Sequence, residues 1–168
     1  MAKPESRVAQ SARGSFKSKD ITQTDSVSTP IIKHIPDEDK LEYLFYHHTK
    51  GYRIFQPNGE EQTPHHNRVA WGNRFLAVTD QRLIYIVGRE HGDEVEQFDY
   101  YDVIDVDYDS NWTHGIIRWT IQNGREYKFA ESGAPHKEVE GAGEYIETRI
   151  QALDSIQNKY DELHTEQI

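Results

Sequence analysis

Three aspartates, Asp105, Asp107 and Asp109, alternate in the run DVDYDSNWTHGI, the spacing with which a calcium loop begins. The loop then fails. Its sixth position, where the chain must turn on a glycine, is Ser110, and its twelfth, where a bidentate glutamate belongs, is Ile116. The flanks read as strand, so the run is expected to be a solvated acidic strand face. Nine histidines include two adjacent pairs, His47-His48 and His65-His66. Neighbours on a strand point to opposite faces, so the first pair cannot converge on one ion. The second pair lies in a loop and could converge, but no HExxH or related spacing supplies a third ligand. No metal and no cofactor are expected. Lys50 and Arg53 form a small cationic pair beside Glu60 and Glu61. The chain has no Cys, which removes thiolate catalysis, disulfides and Cys-type zinc sites. It also lacks G-x-S-x-G and G-x-x-x-x-G-K-[ST], and Gly141-Ala142-Gly143 lacks the third glycine of a dinucleotide loop. The reading is that this is not an enzyme.

Side chains suited to holding a partner are easier to find. Trp119 sits inside the apolar run IIRWTI and is expected in the core, and Trp71 in VAWGN at a strand or bend. Trp112 falls in a turn, where it is either an exposed anchor for a partner or a lid packed across the mouth of the fold. Near the C-terminus Ile146, Ile150, Leu153, Ile156, Tyr160 and Leu163 recur at steps of three and four, which is one face of a helix. Gly141 and Gly143 each cost about 1 kcal/mol inside a helix, so the helix is expected over about 143–164.

The elements that must position these residues are short strands. LEYLFYHH at 41–48 and YRIF at 52–55 precede a Pro-, Asn- and Gly-rich loop, QPNGEEQTPHHN. RFLAVT and LIYIV flank a turn at Asp80-Gln81, with Asp80 bonding backbone. VEQFDY, VIDVDY, IIRWTI and REYKFA follow, the last two joined by Asn123-Gly124, the strongest hairpin signal in the chain. About seven closely spaced strands point to an antiparallel sandwich or barrel.

Composition sets the frame. A length of 168 residues fits one domain. Apolar residues make up 35% and the mean hydropathy is −0.88, so part of the chain is expected outside the core. Twenty-nine acidic against nineteen basic residues give a net charge of −10. That argues against nucleic-acid binding and against a polybasic membrane binder. It fits a halophile's salt-rich cytoplasm as well as an acidic mesophile. No apolar leader or spanning run is present, so a cytoplasmic protein is expected. Residues 1–30 hold nine Ser or Thr and five basic against three acidic residues. Residues 1–33 are expected to be a disordered polar tail, and 34–168 the domain.

Strands closed by one C-terminal amphipathic helix resemble the pleckstrin-homology-like superfold. The resemblance sharpens at FLAVTDQRLIYI, which is similar to prokaryotic PH-domain families of the GRAM-like and YokE-like groups. In these a strand ends in a Thr-Asp-x-Arg turn and an apolar strand follows. The matching residues are Thr79, Asp80, Arg82, Leu83, Ile84 and Tyr85. Phe98-Asp99-Tyr100 with Val103–Val106 resembles the family's next strand pair, and Tyr127–Phe129 its strand before the helix. The likeness runs from about Ile35 to Leu153. It implies a mainly-β, seven-stranded barrel or sandwich capped by the helix, and a non-catalytic binding or scaffolding module for a protein or peptide. In such barrels an extended segment can pair in the groove between a sheet edge and the helix. Leu153, Ile156, Tyr160 and Leu163, overhanging the barrel, could pair two copies as a homodimer. The alternative is an anionic-lipid module. PH domains of that kind hold phosphates with clustered Lys and Arg in the first inter-strand loop, where this chain offers only Lys50 and Arg53.

Overall fold

The computed structural model describes residues 8–14, 27–47, 52–62, 74–110, 115–131, 134 and 136–165. The strands are β1 (Val8–Gly14), β2 (Leu41–His47), β3 (Tyr52–Phe55), β4 (Arg74–Thr79), β5 (Arg82–Val87), β6 (Glu94–Asp99), β7 (Val103–Ser110), β8 (Gly115–Ile121) and β9 (Glu126–Ala130). Two helices join them, the single turn α1 (Ile31–His34) and the 30-residue α2 (His136–Thr165). One sheet runs β1-β2-β4-β5-β6 and the other β3-β9-β8-β7. Every pairing is antiparallel except β1 with β2, which is parallel. This is the mainly-β class with one C-terminal helix that the sequence indicates, and it is consistent with a PH-like plan. The described residues hold nine strands against the seven expected: each of the eight runs named from the sequence is a strand, β2 to β9, and the parallel β1 is an addition that the sequence reading does not contain.

The main core lies between the two sheets and α2. Leu76, Val78, Leu83 and Tyr85 of the first sheet meet Ile117, Trp119, Tyr127 and Phe129 of the second. Trp119 stacks on Tyr127 at 5.7 Å, and Phe98 meets both rings edge-on or tilted. A second cluster lies on the opposite face of the first sheet. There Val27, Ile31, Ile32 and Ile35 cover Leu44, Phe75, Ala77, Ile84 and Ile86. β4 is therefore buried along its whole length. A strand covered on both faces loses its polar alternation and becomes a continuous apolar run. The described parts of the segment expected to be a polar tail, 8–14 and 27–33, are ordered structure. The segment's last residues are a buried strap, and Val8–Gly14 is a strand.

One local expectation also changes. α2 begins at His136 rather than near Gly143, because packing on the barrel outweighs the propensity cost of Gly141 and Gly143. At Asn123-Gly124 only Gly124 has positive φ, +86°. Ile121 N–H bonds the Arg125 carbonyl at 3.0 Å, and Gly124 N–H the Ile121 carbonyl at 2.9 Å. The hairpin that Asn123-Gly124 signals is present, and it turns on three residues with a left-handed glycine last.

The Thr79–Arg82 turn is held by buried polar chemistry. The Thr79 hydroxyl donates to Asp39 Oδ2 at 2.8 Å and accepts the N–H groups of Gln81 and Arg82. Arg82 grips both oxygens of Asp39, at 2.9 and 3.2 Å. Asp80 does bond backbone, taking the Lys40 N–H at 2.8 Å. Its own carbonyl accepts from Arg149 Nε at 3.0 Å, which ties α2 to the turn.

Candidate functional site

α2 is two half-helices of different character. Along its first half Val139, Ala142, Ile146 and Ile150 are buried. Gly143 lets the helix approach β7, since a Cβ there would lie 2.1–2.2 Å from near atoms of the Tyr108 ring. The Arg149 anchor and buried Ile150 mark the last firm contacts, and Leu153 is half-buried against the core. From Asp154 to Thr165 every residue is exposed. A helix rises 1.5 Å per residue, so this free part projects about 18 Å beyond the barrel.

The apolar stripe does not stop where the barrel does. Ile156, Tyr160 and Leu163 are 60%, 56% and 62% exposed. With Leu153 they are spaced three, four and three, the a/d spacing of a helix pair. The Tyr160 and His164 rings stack at 3.9 Å, and Gln157 Nε2 donates to Asp161 Oδ1 at 2.9 Å. These i,i+4 contacts firm the free turns without covering the stripe. The structure therefore brings together four of the five residues assigned to partner binding. The fifth, Trp112, lies outside the described residues, as do Trp71, His48, His65 and His66.

Of the alternative phosphate pair, Lys50 also lies outside the described residues. Arg53 is on β3, half-exposed, 3.6 Å from Glu61. It faces outward beside Lys128 of β9, which in turn lies beside Arg118 of β8. The sequence reading missed this neighbourhood. Positions 53, 118 and 128 are far apart in the chain, and only the strand register aligns them.

The acidic run on β7 is solved by the same register. Asp105, Asp107 and Asp109 point outward, opposite Thr120, Arg118 and Ile116. Asp107 pairs with Arg118 at 3.3 Å, and the Tyr108 and Ser110 N–H groups bond Asp107 and Asp109. Among the described residues no three His, Cys, Asp or Glu side chains are grouped to hold a metal ion. A cleft of about 340 Å³ opens between β6 and the β8–β9 hairpin, lined by Glu96, Phe98, Asp102, Ile121, Gln122 and Tyr127. No helix among the described residues is long and apolar enough to cross a membrane.

No family model matches the sequence, and no curated protein matches it. Solved structures do. The pleckstrin homology domain of USP37 is similar at 12% identity and a TM-score of 0.43, over 65% of this chain and 97% of that one. The Vps36 N-terminal PH domain is similar at 11% identity and a TM-score of 0.48, over 77% and 92%. A structure of Vav1 inhibited by an allosteric inhibitor is similar at 10% identity and a TM-score of 0.42, over 75% of this chain and 29% of that one. At such identities no residue role passes from these proteins to this one.

Proposed function

We propose that the chain is a non-catalytic binding module whose docking face is the free half of α2, and that this face pairs with the same face of a second copy. The observation that carries the reading is the exposed Ile156–Tyr160–Leu163 stripe, continuous with the buried stripe of the same helix. Two identical a/d stripes are self-complementary about a two-fold axis. Two heptads bury little area, so the pairing is weak and concentration-dependent.

The test compares the full chain with a chain ending at Leu153, by light scattering over a concentration series and by thermal melting. The shortened chain should keep its melting temperature within a few degrees, because the removed residues are exposed. It should stay monomeric where the full chain dimerises. L163E in the full chain should do the same. A full chain that remains monomeric at millimolar concentration would overturn the pairing.

A further inference from the structure

The outer face of the second sheet carries a row of charges set by register alone. Asp107 lies opposite Arg118, Arg118 opposite Lys128, and Lys128 opposite Arg53. Adjacent strands are about 4.8 Å apart, so three cations stand abreast over roughly 10 Å. Like charges directly opposite one another destabilise a sheet, and this chain has carboxylates to spare. The carboxylates sit at the two ends of the row. Arg118 Nη1 is 3.3 Å from Asp107, and Arg53 Nε is 3.6 Å from Glu61. Lys128, in the middle, has no carboxylate within ion-pair distance among the described residues. Partial burial and the two flanking arginines hold its ammonium below the ordinary lysine pKa, and Glu126 and Glu61 offset this only in part.

We propose that Arg53, Lys128 and Arg118 form a site for the phosphate groups of a small soluble molecule, with Lys128 at its centre. An oxyanion there accepts from one ammonium and two guanidinium forks, and its charge turns a repulsive row into an attractive one. A span of three strands suits a diphosphate better than a lone carboxylate. The surroundings argue for a soluble ligand over a membrane. Asp105, Asp107, Asp109 and Glu126 share this face and would be pressed against anionic headgroups. The site is independent of the α2 pairing.

The test uses the full chain. Sodium pyrophosphate should raise the melting temperature saturably, where sodium chloride at equal ionic strength does not. K128M should weaken pyrophosphate binding by at least about tenfold. Without the anion, K128M should be as stable as the natural chain or more so, because removing the middle cation relieves the row. Phosphatidylcholine vesicles containing phosphatidylserine should not sediment the protein. No saturable shift with pyrophosphate would overturn the site. So would a shift that K128M retains, a K128M chain less stable than the natural one without anion, or binding to vesicles alone.

Discussion

At Gly143 two opposing effects can be weighed on one side chain. Alanine is the better helix former by about 1 kcal/mol. A Cβ at this position, however, meets the near atoms of the Tyr108 ring at 2.1–2.2 Å, which cannot be relieved by moving a flexible tip. Overpacking of this kind costs about 1–3 kcal/mol, and the shortness of the contact places it at the upper end. G143A should therefore lose about 2 kcal/mol net, read as a melting temperature lower by about 5 °C. An unchanged or raised value would mean that α2 does not lie this close to β7. Asp39 is a second residue-scale case. Its carboxylate is buried and serves the Thr79 hydroxyl and the Nε and Nη2 of Arg82. D39N leaves the guanidinium short of its buried counter-charge, although Arg82 still reaches Asp99 at 3.3 Å and Glu38 at 3.4 Å. The expected cost is about 2–3 kcal/mol in urea unfolding. The turn itself was legible as Thr-Asp-x-Arg. Its chemistry was not, because Asp39 is forty residues from Thr79 in the chain.

Elements meet at Asp93, which fastens the N-terminal strap to the β5–β6 loop. Its side chain is inaccessible to solvent. It accepts the N–H groups of Ser28 at 2.7 Å, Thr29 at 2.9 Å and Arg89 at 3.1 Å, and bonds His34 Nε2 at 2.7 Å. Burial alone would raise its pKa, but these donors outweigh burial and hold it below the ordinary aspartate value. A carboxylate depressed on folding contributes stability that is complete above its unfolded pKa and is lost as pH falls through the folded one. The clasp should therefore contribute in full above about pH 4 and weaken progressively as the pH falls further. D93N should be less stable at neutral pH by about 2 kcal/mol and should lose less than the natural chain between pH 5 and about pH 2. Equal pH slopes in urea melts would show that Asp93 is not the fastening. Strands were read well from their apolar runs and turn residues, because those signals are local. The start of α2 was not, because its first turns are bought by Val139 and Ala142 packing on the barrel and not by propensity.

The whole molecule has two apolar layers, and the second was written in the sequence without being read. FLAV at 75–78 and LIYIV at 83–87 are unbroken apolar runs, which in an antiparallel sheet signal cover on both faces. The cover is VSTPIIKHIP, whose Ser, Thr and Pro made it resemble the polar tail before it. In the fold Val27, Ile31, Ile32 and Ile35 are each at most 5% exposed and seal Phe75, Ala77, Ile84 and Ile86. Burying one such side chain is worth about 1.5–3 kcal/mol, so four rival the net stability of an ordinary domain, about 5–15 kcal/mol. A chain lacking residues 1–26 keeps the strap and its Asp93 clasp and loses what β1 adds to the edge of the first sheet. A chain lacking residues 1–35 uncovers a contiguous apolar sheet face, a surface that soluble monomers do not leave bare. The shorter deletion should fold with a cooperative melt. The longer one should bind a hydrophobic dye such as ANS, lose its melt and aggregate. If both chains melt alike, the strap is an accessory and the first sheet stands on the inter-sheet core alone. If only the longer deletion fails, the domain begins at Val27, and the boundary drawn at residue 34 cuts through its second core.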